Sequence, residues 1–174
     1  MFNNENIQLR AVEPEDLKYL YDWENRGELW NVGVTRQPYS RFELKQYIAT
    51  VGQEDIYAKL QLRLMIDTVE NRQTIGTIDL FDFDIHNSRI SLGVFIVPEC
   101  QKKSFSIQAI ELAEEYVFKF LKINQIYCFV PENNTASRRM LEKAGYTDNA
   151  ILKNWLKYSE GYENVIVYQH FAAQ

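Results

Sequence analysis

Two cysteines and two histidines are the whole supply of thiol and imidazole metal ligands among 174 residues. Cys100 and Cys128 stand far apart without a CxxC, and so do His86 and His170. That spacing excludes a disulfide framework and predicts no metal site. Four prolines and seven glycines are too few for a collagen-like or low-complexity chain. No apolar run approaches the ~18 residues that cross a bilayer, so no membrane partner is expected. The opening MFNNENIQLR has no basic flank leading into an apolar run, which predicts no secretory signal and a cytoplasmic location. Positive charge is also short: 19 Lys and Arg against 24 Asp and Glu give a net charge of −5. Nucleic-acid binders gain most of their affinity from a basic face, so no DNA partner is expected.

What is present reads as an ordinary folded domain. Apolar residues make up 46% and charged residues 25% of the chain. The length predicts one domain spanning 1–174. Aromatic residues, at 14%, promise a thick core or an aromatic-lined pocket.

The periodicities predict mixed α and β. Residues 7–10 read as a short strand, and Pro14, Glu15 and Asp16 suit the start of a helix with Leu17, Leu20 and Tyr21 on its apolar face. Ser40 and Glu43 form a capping box ahead of Leu44, Tyr47, Ile48 and Val51 at helical spacing. Leu60, Leu62, Leu64 and Ile66 alternate with Gln61, Arg63 and Met65, residues 74–84 form a second strand, and Ile90, Leu92, Val94 and Ile96 alternate in a third. Together they predict an antiparallel meander. Residues 105–121 read as the longest helix, 126–130 as a buried strand, and 136–144 as a short helix ended by Gly145. Strands near 150–156 and 164–171 close the chain. Strand, helix and strand between Ile90 and Val130 predict one parallel pair within a mostly antiparallel sheet.

The connection Pro98-Glu99-Cys100-Gln101-Lys102-Lys103-Ser104-Phe105-Ser106 feeds that long helix. A helix start carries unpaired N–H groups and the positive end of the dipole, an arrangement suited to a pyrophosphate, and Lys102 and Lys103 add charge. A plain strand–helix connection with two solvated lysines is the competing reading.

Four segments, in order, resemble the GNAT superfamily of N-acetyltransferases, in the branch of ribosomal-protein alanine and spermidine N-acetyltransferases. They are Gln8 through Leu17 with its LR and DL, Ile75-Gly76-Thr77-Ile78-Asp79-Leu80, the loop Pro98 to Ser106, and Asn134-Thr135-Ala136-Ser137 with Glu142-Lys143-Ala144-Gly145-Tyr146. The resemblance covers nearly the whole chain. It implies an α+β fold with a GNAT-like mixed, mostly antiparallel central sheet of six to seven strands and helices on both faces. It implies transfer of acetyl from acetyl-CoA to a primary amine by direct attack. The acceptor is left open among a small amine, a polyamine and a peptide N-terminus, and a homo-oligomer is compatible. The alternative is a catalytically weakened acyl-CoA-binding or interaction module of the same fold.

By that resemblance Gln101, Lys102, Lys103, Ser104, Phe105 and Ser106 occupy the pyrophosphate loop, with serine at both positions where the family has small residues. Phe95, Ile96 and Val97 lie on the strand that supplies backbone donors to the thioester, and Asn134 completes the cofactor set. Leu141 stands where many members place an acidic tyrosine, and Ser137 matches the serine given that role in the ribosomal-protein branch; a first-turn serine bonding locally is the other reading. Leu156 stands near the position of that branch's basic glutamate. Asp79, Asp82 and Asp84 remain as bases, Asp79 favoured because Phe81 and Phe83 are expected on its strand face. Tyr39, Glu43 and Asp79 match acceptor-side positions, and Trp30 and Tyr47 are candidate pocket walls.

Overall fold

The computed structural model describes residues 2–27, 37–51, 55–101, 103–158 and 161–173. The described chain divides into two compact units, Val12–Lys59 and a larger one made of Met1–Ala11 with Leu60–Gln174.

The larger unit is built on an eight-stranded sheet. Its strands are β1 (Phe2–Asn3), β2 (Ile7–Ala11), β3 (Gln61–Thr68), β4 (Thr74–Asp84), β5 (Arg89–Ile96), β6 (Gln125–Pro131), β7 (Thr147–Tyr158) and β8 (Gly161–Phe171). The spatial order is β1-β2-β3-β4-β5-β6-β8-β7. The predicted meander is present, since β2 to β5 pair antiparallel in succession. The predicted parallel pair is β5 with β6. The sheet exceeds the expected six to seven strands because the two-residue β1 adds itself to the edge of β2, a pairing too short to leave a periodicity.

The register sorts the side chains into two faces. Leu64, Ile78 and Val94 stand in line on one face, and so do Leu62, Leu80 and Leu92. Ile90 pairs Ile126 on the same face. Helix α4 (Phe105–Glu114) packs against β2, β4 and β5 and buries Ala109, Ile110, Leu112 and Ala113. Each large aliphatic side chain so buried contributes about 1.5–3 kcal/mol. The opposite face is more polar, with Met65 beside Thr77 beside Phe95, and Arg63 beside Asp79 beside Gly93.

The long helix expected over 105–121 changes pitch. It is α-helical to Glu114 and π-helical over Glu115–Phe120. In the wider turn Tyr116 stacks on Phe120 at 5.4 Å and meets Phe2 at 4.9 Å. Helix α5 (Thr135–Lys143) ends as expected, with Gly145 at φ +90.

The smaller unit holds a 3-10 turn (Pro14–Asp16), α1 (Leu17–Glu24), α2 (Arg41–Val51) and the short α3 (Ile56–Lys59). The capping box forms as the sequence predicts: Glu43 N donates to Ser40 Oγ at 3.1 Å, and Ser40 N to Glu43 Oε2 at 2.7 Å. Helices α1 and α2 pack together, with Leu20, Trp23, Leu44 and Ile48 buried.

Candidate functional site

The sheet splits between β5 and β6. The two pair over Arg89–Gln125, Ile90–Ile126 and Ser91–Tyr127, and then part. Beyond that point β5 stays with β4 as far as Ile96, and β6 stays with β8 as far as Pro131. Gly76 anchors β4 against β5: a Cβ there would lie 2.0 Å from the Phe95 carbonyl oxygen. Val97 N donates to Ile75 O on the β4 side at 2.9 Å. Backbone groups alternate along a strand, so Phe95 and Val97 face β4, whereas Val94 and Ile96 face the gap. Gln101 bears this out, donating its side-chain Nε2 to the Ile96 carbonyl at 3.0 Å. Of the three backbone positions expected here, Ile96 therefore points its polar groups into the gap, and Val94, not singled out from the sequence, joins it.

The loop after β5 turns through Pro98–Cys100 and enters α4 at Ser104. Ser104 is in the left-handed region, φ 59 and ψ 11, where a Cβ costs about 1–2 kcal/mol. Gln108 N to Ser104 O, at 3.1 Å, is the first backbone bond of the helix. No side chain caps this end, so the N–H groups of Ser104, Phe105, Ser106 and Ile107 lack helical acceptors. They converge with the helix dipole on the space before α4, and Lys103 is exposed beside them. Lys102 lies outside the described residues. A gap with inward backbone donors, leading to a bare helix start, fits a linear thioester carrying a pyrophosphate.

Asn134 and Ser137 sit at the start of α5, where Asn134 Oδ1 accepts the Ser137 N–H at 3.1 Å. The Asn134 side chain thus caps a helix, and Ser137 is half-buried in the first turn. Leu141 is buried in the same helix.

The surroundings of Asp79 differ from the apolar setting that the sequence suggests. Arg63, its partner in the β3–β4 register, grips it with Nε–Oδ1 at 2.6 Å and Nη2–Oδ2 at 3.2 Å. The expected alternation toward Phe83 also fails, because the ladder slips between Phe81 and Asp84 with Asp82 at φ 52. Asp82 is exposed. Asp84 is engaged by Asn87 at 3.0 and 2.8 Å and by Arg89 at 2.9 Å, and the Asn87 bonds hold its carboxyl below the usual range.

Tyr39 and Glu43 belong to the smaller unit. The Tyr39 backbone is held on both sides by the Asn25 amide, at 2.8 and 3.0 Å. Glu43 is exposed and kept below the usual carboxylate range by its Ser40 bonds. Tyr47 is half-buried on α2, and Trp30 lies outside the described residues.

The sequence reading missed two features of the larger unit. An open surface depression of about 450 Å³ lies beyond the end of β6, lined by Glu132, Asn133, Tyr158, Gly161, Tyr162 and Glu163. On the packed face, His170 Nδ1 meets Glu114 Oε1 at 2.8 Å, and the Tyr146 and His170 rings meet edge-on at 5.0 Å. Burial pushes the Glu114 carboxyl up, and it pushes the Cys128 thiol up to about 12. Among the described residues no group of three or more His, Cys, Asp or Glu is placed to hold a metal ion, and no helix is long and apolar enough to cross a membrane.

The split sheet and bare helix start define an acyl-transfer fold, and comparison with known proteins gives its family. Residues 6–147 match the acetyltransferase (GNAT) domain model. Spermidine N(1)-acetyltransferase of Escherichia coli K12 is 23% identical over 168 residues, covering 95% of this chain and 87% of that protein. The crystal structure of Vibrio cholerae spermidine N-acetyltransferase in complex with CoA and spermine superposes with a TM-score of 0.84 at 22% identity, over 97% of this chain and 96% of that one. A dodecameric structure of the Vibrio cholerae enzyme in an intermediate state gives a TM-score of 0.79 at 23% identity, over 97% and 95%. The chain belongs to the GNAT acetyltransferase family. It is an acetyl-CoA-dependent N-acetyltransferase that acts on a primary amine.

Proposed function

We propose that the acceptor is a small di- or polyamine, that residues 1–174 act as one acetyltransferase domain, and that the enzyme works as a cytoplasmic homo-oligomer. The observation that carries the site assignment is the parting of β5 from β6, which aims the Val94 and Ile96 N–H groups into a gap ending at an uncapped helix. The spermidine enzymes among the relatives support the acceptor class, and a net charge of −5 favours a cationic partner over a nucleic acid.

Acetyl-CoA supplies a thioester-activated acetyl group. In this reading the α4 start, with Gln101, Lys102, Lys103, Ser104, Phe105 and Ser106, holds the pyrophosphate. The Val94 and Ile96 N–H groups stabilise the charge that builds on the carbonyl oxygen as the amine attacks. Ser137 delivers a proton to the departing sulfur and regains one, through water, from the nitrogen of the tetrahedral intermediate. Asn134 fixes the turn that presents Ser137. The amine must be neutral to attack, and its proton leaves through water. Asp79, with both oxygens on Arg63, is charge-balanced and does not remove the proton; it holds β3 to β4 beside the acceptor. Tyr39 and Glu43 take part on the acceptor side.

An acceptor panel read by thiol release tests the proposal. Transfer to di- and polyamines at rates well above hydrolysis is expected. Transfer to peptide N-termini alone would replace the acceptor class.

A further inference from the structure

An acceptor has to reach the gap between β5 and β6 from one face of the sheet, and the two faces differ. On one, Leu92, Ile126, Cys128 and Val130 are buried, α4 packs against β5, and Glu114 of that helix acts electrostatically on the Cys128 thiol. That face is closed by the helix, so the acceptor approaches from the other. Along β5, Ile90, Ser91 and Leu92 are buried, whereas Gly93, Val94 and Phe95 are only half-buried. The change falls where the pairing with β6 ends, at Ser91 and Tyr127. The half-exposed stretch is the entrance that the parting strands leave.

Just beyond the last pair, the parallel register brings Gly93 on β5 level with Phe129 on β6. Side chains alternate along a strand, so both positions share the face of Ser91 and Tyr127, away from α4. Gly93 presents no side chain there. Among the described residues, a Cβ built on it would meet only the Phe81 ring, at 3.5 Å. Asp79, opposite Gly93 in the β4–β5 ladder, has its carboxylate on Arg63. Phe129 stands across the gap, braced edge-on by the Tyr127 ring at 5.4 Å and neighboured by Val167 in the β6–β8 ladder. It is nevertheless 47% exposed, although β6 is an interior strand of the sheet. Phenylalanine on an interior strand is ordinarily covered. The result is a shelf with a bare floor at Gly93 and aromatic walls at Phe81 and Phe129, opening onto the gap into which the Val94 and Ile96 N–H groups point.

We propose that this shelf seats the hydrocarbon chain of the acceptor amine, which makes Phe129 and Gly93 specificity-determining residues for the transfer. The proposal rests on the gap as the reaction site and on the acceptor class given above. The walls decide the occupant. They are aromatic, and the nearest carboxylate is balanced by Arg63, so they suit methylene groups and not phosphate. The pyrophosphate belongs at the α4 start, which leaves the opposite face to the acceptor. A phenylalanine ring also attracts an alkylammonium lying over its face, which favours a cationic chain over a neutral one. With the chain on the shelf, the attacking nitrogen points into the gap, where the thioester carbonyl meets the Val94 and Ile96 N–H groups.

The test measures steady-state kinetics with 1,3-diaminopropane and 1,6-diaminohexane for the wild type, Phe129→Ala, Gly93→Ala and Phe171→Ala. Phe171 is the control: it is 48% exposed on the same face, but it pairs Gln125 at the end where β5 and β6 are still joined. Phe129→Ala should lower kcat/KM about tenfold with the longer diamine and less with the shorter, through the KM of the amine, while the KM of acetyl-CoA stays as it was. Gly93→Ala adds a methyl in ordinary contact with Phe81, so its melting temperature should hold while the KM of both diamines rises. Phe171→Ala should keep wild-type values. If Phe129→Ala does not fold, Gly93→Ala decides alone. Amine KM values unaltered in both shelf variants overturn the proposal, and so does an equal loss in Phe171→Ala. Should the wild type acetylate no diamine or polyamine, the acceptor class fails. The amine accepted in the thiol-release panel then decides the shelf: a KM raised in both shelf variants sustains it, and an unaltered KM overturns it.

Discussion

Arg63 on β3 and Asp79 on β4 face each other across the ladder and form a two-point ion pair, 2.6 and 3.2 Å, with both side chains mostly buried. A planar guanidinium matched to a carboxylate gives two charge-assisted bonds, worth about 1.5–3 kcal/mol. Asp79→Asn should therefore cost about 2 kcal/mol of stability, and a double-mutant cycle with Arg63→Met should return a coupling energy of similar size. Because both carboxylate oxygens are engaged by Arg63, Asp79→Asn should leave the pH profile of kcat in place. Disappearance of a basic limb from that profile would make Asp79 the proton acceptor.

Ser104 and Ser106 should respond in opposite directions to glycine. Ser104 holds φ 59, a conformation glycine adopts freely. Ser104→Gly should stabilise the fold by about 1 kcal/mol and tighten acetyl-CoA binding, because the backbone can then approach a phosphate without a Cβ between them. Ser106 lies inside the first turn of α4, where glycine costs about 0.5–1 kcal/mol. Ser106→Gly should lower the melting temperature with a smaller change in affinity. Weaker acetyl-CoA binding by Ser104→Gly would show that its hydroxyl is a phosphate ligand.

Gly76→Ala should be among the most damaging single changes in the sheet. The added Cβ would meet the Phe95 carbonyl oxygen at 2.0 Å, and neither strand can yield without losing ladder bonds. Overpacking of this kind costs about 1–3 kcal/mol. Chemical denaturation should show that loss, and the displaced β5 should carry Val94 and Ile96 out of line and lower kcat. A variant with wild-type stability would mean that β4 and β5 separate more easily than their register implies.

These positions show what a sequence makes visible. The meander, the parallel pair and the α5 stop at Gly145 rest on local signals: alternation, a strand–helix–strand run and a helix-ending glycine. The loop into α4 was legible for the same reason. The setting of Asp79 was not, because its partner is 16 positions away and becomes a neighbour only when the β3–β4 register is known. The bulge at Asp82 hid the true face of Phe83, since strict alternation assumes an unbroken ladder. The π-helical turn after Glu114 uses residue types that also form α-helix, and its aromatic contact with Phe2 spans the chain. The depression around Glu132 and Glu163 joins two segments thirty residues apart that carry no shared motif.

Cys128 should be chemically silent in the folded enzyme. Burial of Cys128 on β6 pushes its thiol up to about 12, so little thiolate exists near pH 8. In a Cys100→Ser background, alkylation by iodoacetamide at pH 8 should run about a thousandfold or more slower than for an unfolded control, given an ordinary thiol near 8.5. Native-state labelling at a rate near that of free cysteine would mean that the parting strands admit the reagent.

The Glu114–His170 pair gives the fold a pH dependence with a definite sign. Burial raises the Glu114 carboxyl above its ordinary value of 4.5, against the lowering effects of the His170 bond and charge and of the Tyr146 hydroxyl. Glu111 on the same helix and the Cys128 thiol complete its titratable surroundings. A carboxyl raised in the folded state binds its proton more tightly there than in the unfolded chain. Its contribution is fully present below pH 4.5 and is lost as pH rises through the folded value. Glu114→Gln removes that titration while keeping an acceptor for His170. The stability of the variant minus that of the wild type should therefore grow as pH climbs from 4.5, measured by urea denaturation at successive pH values. In a His170→Asn background the lowering effects of the imidazole are gone, so the same difference should grow more steeply and over a wider range. A difference that stays flat with pH in both backgrounds would show that Glu114 titrates in the fold as it does in the unfolded chain.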